Sequence, residues 1–100
     1  MKTLSGAQRR HLRGLANPLN PAVMIGKQGL TASVMDAIHQ ALDDHELIKV
    51  RFLEFKETKK ELAQQIADSA HCEEIGMVGH TALFYRTQSD PRKKKISLPE

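Results

Sequence analysis

The chain has 100 residues, 15 Lys and Arg against 12 Asp and Glu for a net charge of +3, and a single cysteine. That length fits one domain whose core needs neither disulfide nor structural metal, and ordinary apolar and charged fractions exclude wholesale disorder. One cysteine excludes an internal disulfide or a cysteine-pair metal site, and without a signal-like start or a run of about eighteen apolar residues the chain is expected to be soluble and cytoplasmic, with no membrane contact.

Ser5 with Gln8 three residues on forms a capping box, and Leu12, Leu15 and Ala16 share one face of the helix that follows. Arg9, Arg10 and Arg13 share another, and Asn17-Pro18 ends the helix because a residue before proline avoids the α region. Ala22-Val23-Met24-Ile25 is a short apolar run that suits a buried strand. Gly26-Lys27-Gln28-Gly29 comes next, and Thr31 is a good N-cap for a helix over 31–45 with Val34, Ile38, Ala41, Leu42 and His45 in register.

From Leu47 to Phe55 the residues alternate, with Ile48, Val50 and Phe52 on one side and Lys49 and Arg51 on the other. Thr58-Lys59-Lys60-Glu61 reads as a second capping box, opening a helix with Leu62, Ile66, Ala67 and Ala70 inward. Two strands, Ile75 to Val78 and Ala82 to Tyr85, flank Gly79-His80-Thr81 as a hairpin. The order α-β-α-β-α-β-β predicts an α/β (α+β) two-layer sandwich. Its four-stranded mixed sheet would have strands 1 and 2 parallel through a right-handed crossover. A single domain over 1–88 is expected, followed by a basic tail over 89–100.

Charge is unevenly distributed. Residues 1–35 hold five bases, Lys2 among them, and no acid; residues 36–85 hold five bases against ten acids; residues 86–95 hold five bases against Asp90 alone. Basic ends around an acidic middle predict one cationic surface if the fold joins those ends.

The glycine loop is the most informative stretch. Two glycines around two polar residues let a ligand backbone approach closely, and the helix N-terminus behind them favours an anion. Lys27 adds charge there, and Thr31, which opens the helix, is expected among the contacts to the same ligand. The same logic serves the G-x-x-G clamp of KH domains, which grips a nucleic-acid backbone. A G-x-x-G also serves as a plain turn between strand and helix. The spacing excludes a Walker-type phosphate loop and the longer dinucleotide fingerprint.

Arg9, Arg10 and Arg13 could meet several phosphates or form a solvated face. Lys49 and Arg51 extend the patch over a sheet face, and Arg86 joins them if its strand is adjacent. Lys93, Lys94 and Lys95, after Pro91, read as a flexible arm adding salt-sensitive affinity. Ile96 and Leu98 beyond them are apolar enough to dock on the domain. Phe52 points inward, which leaves Tyr85 or Phe55 for stacking. The five histidines are scattered without a metal-ligand pattern, and Cys72 reads as a small helix-end residue rather than a nucleophile. No metal, cofactor or catalytic group is expected.

Four segments together resemble one family: Gly-Leu-Ala-Asn-Pro-Leu-Asn-Pro at 14–21, Ile-Gly-Lys-Gln-Gly-Leu-Thr at 25–31, Ala-Leu-Asp-Asp-His-Glu-Leu-Ile-Lys-Val-Arg at 41–51 and Val-Gly-His-Thr-Ala-Leu-Phe-Tyr-Arg at 78–86. The family is the CRM domain, named for chloroplast RNA splicing and ribosome maturation. The likeness over about residues 3–98 is nearest to its stand-alone bacterial members of the YhbY type. The resemblance implies a sheet similar to the C-terminal domain of translation initiation factor three. It also implies RNA binding through Gly26, Lys27, Gln28 and Gly29, and through Arg9, Arg10 and Arg13. For bacterial members it implies association with rRNA in precursors of the large ribosomal subunit. A monomeric, non-enzymatic RNA-binding protein is therefore expected. The alternative is a module that docks on a ribosomal protein or assembly factor.

Overall fold

The computed structural model describes residues 4–88, 90 and 92–99; Lys2 and Pro91 lie outside them. The elements are α1 (Gly6–Ala16), β1 (Val23–Ile25), α2 (Ala32–His45), β2 (Leu47–Phe52), α3 (Lys59–Ala70), β3 (Glu73–Val78) and β4 (Thr81–Tyr85). They follow the expected order. The four-stranded mixed sheet runs β1-β2-β4-β3, with β1 parallel to β2 and the other neighbours antiparallel.

Alternation along the strands builds two cores. Ile25, Ile48, Val50, Phe52 and Phe84 face α2 and α3, where Ile38, Leu42 and Ile66 complete the larger cluster. Phe52 and Phe84 are fully buried, so truncating either to alanine costs about 3–5 kcal/mol. Leu47, Ile75, Leu83 and Tyr85 point to the opposite face, where Leu12 and Ala16 of α1 cover them with Leu4, Ile96 and Leu98. To the two-layer body of sheet and α2/α3, α1 thus adds a partial third layer. Its 11 residues span only about 16 Å, so part of that sheet face stays open.

Helix starts follow local chemistry. The Ser5–Gln8 box forms in full, and Thr31 Oγ1 accepts the Val34 amide at 3.1 Å. The expected box at Thr58 does not form. Its backbone lies at φ −108°, ψ 11°, away from the extended region an N-cap needs, and its hydroxyl donates to Phe55 O instead. His45 is exposed rather than part of the inward stripe of α2. Met24 is 53% exposed, because alternation turns Val23 and Ile25 to the core and leaves Met24 on the part of the opposite sheet face that α1 does not cover. β2 ends at Phe52, three residues early, because Leu53 N and Glu54 N both turn onto Ile25 O.

The tail is anchored rather than free. Glu46 is fully buried, and its carboxylate accepts the amides of Gln88, Lys95 and Ile96 at 2.7, 2.6 and 2.9 Å. Gln8 Nε2 also donates to Pro99 O at 3.0 Å. Among the described residues no helix is long and apolar enough to cross a membrane.

Candidate nucleic-acid interface

β1 delivers its last residue, Ile25, to a turn closed by Gly29 N donating to Gly26 O at 3.1 Å. Gly29 lies at φ +72°, a conformation that favours glycine. Thr31 N donates back to Gly29 O. Thr31 Oγ1 takes the Val34 amide, which leaves Ala32 N and Ser33 N without a partner among the described residues. These amides, at the positive end of α2, lie behind the exposed Lys27 and Gln28.

Two further loops lie at the same end of the sheet, one of them against the glycine loop. The segment after β2 bends at Phe55, which takes φ 58° and rests its ring edge against Gly29; a Cβ there would lie 3.6 Å from Phe55 Cε2. The Gly79-His80 turn joins β3 and β4, and His80 O accepts Phe52 N at 2.7 Å. Lys59 Nζ reaches Gly79 O and lies 3.0 Å from His80 Nδ1. Partial desolvation, then the charges of Lys59, Lys56 and Arg51, holds the His80 imidazole below its usual value of 6.5. Lys27, Arg51 and Lys56 pair with no carboxylate among the described residues. Cations therefore gather at this end of the sheet with their charge available.

The patch continues over the open sheet face. Register places Met24, Arg51, Thr81 and Val78 in one row across all four strands. Beside it lies a cleft of about 250 Å³, floored by Leu83 and Thr81 and rimmed by Arg13, Lys49, Arg51 and Val78.

Of the other expected site residues, Arg13 and Lys49 stay on the rim of this cleft, whereas Arg9, Arg86 and the tail lysines lie away from it. Arg9 donates to Glu74 O and pairs with Glu73 at 3.1 Å. Lys49 Nζ is held by the carbonyls of Asn17 and Leu19 at 3.1 and 2.9 Å, and Arg13 donates weakly to Ile75 O at 3.3 Å. Arg10 is exposed. Arg86 does not join Lys49 and Arg51, although β4 neighbours β2. Its side chain turns to the α2/α3 face, where Ala70 O, His39 O and the Asp43 carboxylate accept its donors. Lys93, Lys94 and Lys95 lie beside Asp43 and Asp44 near the end of α2. That helix has 14 residues, which places the tail lysines about 20 Å from the glycine loop. Chain ends do meet, since α1 contacts the tail, but the basic residues fall into two zones rather than one surface.

Lys56, Lys59 and His80 escaped the sequence reading. The signal that finds them is strand order: β4 lies between β2 and β3, which brings the hairpin turn against the exit of β2. Tyr85, expected as a stacking candidate, is buried, while Phe55 is 42% exposed. Burial pushes the Cys72 thiol up to about 12, so it stays protonated and unreactive at neutral pH. Among the described residues no group of three His, Cys, Asp or Glu side chains is placed to hold a metal ion.

Residues 4–86 match the CRS1 / YhbY (CRM) domain. A Haemophilus influenzae protein named RNA-binding protein is 40% identical over 100 residues, spanning 99% of this chain and 98% of its own length. A Bacillus subtilis protein with the name probable RNA-binding protein YqeI is 32% identical over 97 residues, spanning 96% and 99%. The solution structure of a hypothetical protein from Staphylococcus aureus superimposes with a TM-score of 0.82 at 35% identity, covering 97% of this chain and 100% of that one.

Proposed function

The chain belongs to the CRS1 / YhbY (CRM) domain family, and from that premise we propose that it is a non-catalytic RNA-binding protein whose target is rRNA in precursors of the large ribosomal subunit. In this reading it works in the cytoplasm as a monomer and assists assembly of that subunit. Relatives that carry the name of RNA-binding proteins along nearly their whole length support the RNA part. The observation that carries the reading is the meeting of three loops at one end of the sheet. Unpartnered α2 amides, Lys27, Arg51 and Lys56 stand there without carboxylate partners among the described residues. Such a site fits a phosphate backbone, because it offers charge and amide donors but few groups able to read a base edge.

Binding to large-subunit rRNA fragments, measured across a salt series, tests this. Lys27→Ala should weaken binding to all sequences alike and lower the slope of log affinity against log salt by about one phosphate contact. Unchanged affinity and slope would remove the loop from the interface. Sedimentation with immature large-subunit particles tests the target: association that survives ribonuclease treatment would favour docking on a ribosomal protein instead.

A further inference from the structure

Phe55 occupies a position that its own side chain does not favour. Leu53 N and Glu54 N turn onto Ile25 O, and the chain then enters the left-handed region at Phe55, φ 58°. A bulky residue is an outlier in that region, whereas glycine or asparagine enters it easily. Thr58 holds the turn in place by donating its amide and its hydroxyl to Phe55 O at 3.1 and 3.4 Å.

Core packing does not account for an aromatic here. Phe52 and Phe84 are fully buried and Tyr85 is 3% exposed, so Phe55, at 42%, is the one Phe or Tyr ring of the chain with an open surface. Its Cε2–Cζ edge lies 3.6 and 3.7 Å from where a Cβ on Gly29 would stand, so the ring rests against that glycine in ordinary contact. The ring is thus propped against the glycine loop and left uncovered. Lys27 belongs to the loop the ring touches, Lys56 follows Phe55 in the chain, and the Arg51–Lys59–His80 group stands at the same end of the sheet. The unpartnered amides of Ala32 and Ser33 lie just beyond Gly29.

We propose that Phe55 is the stacking platform for one unpaired nucleobase of an RNA whose phosphate sits at the start of α2. The inference rests on the RNA binding argued above and narrows the ligand to RNA with an unstacked nucleotide, in a loop, a bulge or a single strand. The α2 amides follow Gly29 in the chain by three and four residues and the Phe55 ring rests against it, so the two positions suit the phosphate and the base of one nucleotide. A continuous duplex keeps its bases stacked on each other and leaves the ring empty. Stacking accepts any base, because each has a π-face. The site therefore selects RNA structure without selecting sequence.

The test compares a short hairpin RNA bearing an all-adenosine loop with a blunt duplex of the same stem. Phe55→Gly suits the left-handed backbone, so its unfolding temperature checks that the fold survives. Wild-type protein should bind the hairpin more tightly than the duplex. Phe55→Gly should lose about tenfold for the hairpin, as expected for one stacked base, with duplex affinity unchanged. The chain contains no Trp, so Phe55→Trp supplies a sole indole reporter whose emission should be quenched by the hairpin and left unchanged by the duplex. Equal hairpin affinity for wild type and Phe55→Gly, or Phe55→Trp emission unmoved at saturating hairpin, overturns the platform while RNA binding stands. Binding of neither RNA by wild-type protein overturns the proposed function and the platform with it.

Discussion

Substituting alanine at Gly26 and, separately, at Gly29 distinguishes what the fold requires of the loop from what a ligand requires. Gly26 has no positive φ, and a Cβ built on it meets nothing within 4 Å. Alanine there should leave the fold intact, or stabilise it by about 0.4–1 kcal/mol through a less flexible unfolded chain. Gly29 lies at φ +72°, and its Cβ would touch Phe55 at 3.6 and 3.7 Å, which is ordinary contact. The cost at Gly29 therefore comes from the backbone, about 1–2 kcal/mol. For a domain of this size that is a fall of roughly 4–16 °C in Tm.

RNA binding should respond differently. In the proposed interface a methyl group on Gly26 stands where the RNA backbone approaches, and loss of one charge-assisted hydrogen bond to phosphate costs about 1.5–3 kcal/mol. That corresponds to roughly a tenfold to hundredfold weaker Kd. Thermal unfolding read by circular dichroism and RNA titration at fixed salt measure the two effects on the same samples. Gly26→Ala with wild-type Tm and wild-type affinity would refute the close approach. A large fall in its Tm would refute the claim that this glycine is dispensable to the fold.

Other substitutions test the division of the cations and the anchoring of the tail. Arg51→Ala should lower affinity and reduce the salt slope by about one, whereas Arg9→Ala should leave both nearly unchanged because Glu73 and Glu74 O already engage its guanidinium; equal effects would erase the distinction. Glu46→Ala leaves three amides without their carboxylate and should cost about 3 kcal/mol. In hydrogen exchange, Lys95 and Ile96 should then lose protection while Val50 and Phe84 keep theirs. The His80 imidazole is held below 6.5 by partial desolvation and neighbouring cations, so the folded state takes up its proton less readily than the unfolded chain. His80 therefore lowers stability as pH falls below about 6.5, and phosphate beside it should raise its pKa, so that RNA binding takes up a proton and tightens at lower pH. An NMR titration of the imidazole with and without RNA reads this directly, and a pKa unmoved by RNA would place the phosphates elsewhere.

Local signals carried most of the fold. Leu12 and Ala16 of α1, the capping pair Ser5 and Gln8, Thr31 and the alternation through β2 depend on neighbours a few residues away and form as their spacing predicts, while Leu15, expected on the same face of α1, is 40% exposed. The glycine loop was equally legible. What escaped depends on distant pairing. Arg9 meets Glu73 across 64 residues and Arg86 meets Asp43 across 43, so both cations read as available until the fold placed their partners. Glu46 looked like one acid among several near a helix end, yet it takes φ 63° and turns inward to meet the returning tail. Phe55 read as the last residue of a strand because nothing local announces that both preceding amides turn onto Ile25 O.

The cations that are engaged inside the protein decide where charge is left over for the proposed interface. Arg9 and Arg13 tie one flank of α1 to the carbonyls of Glu74 and Ile75, and Lys49 holds the chain leaving α1 through Asn17 and Leu19. These contacts fix a short helix over Leu47, Ile75, Leu83 and Tyr85. They keep it from reaching the row of Met24, Arg51, Thr81 and Val78. At the far end of α2, Glu46 binds the tail and holds its lysines beside Asp43 and Asp44. The exposed charge of the glycine-loop end is therefore a consequence of packing elsewhere. With Arg9 and Arg86 paired to acids and Lys49 held by carbonyls, Lys27, Arg51 and Lys56 are left at the loop end without a carboxylate among the described residues, as exposed Arg10 is on α1. Net charge alone, at +3, would not have located them, because affinity for a polyanion depends on where the unpaired charge stands.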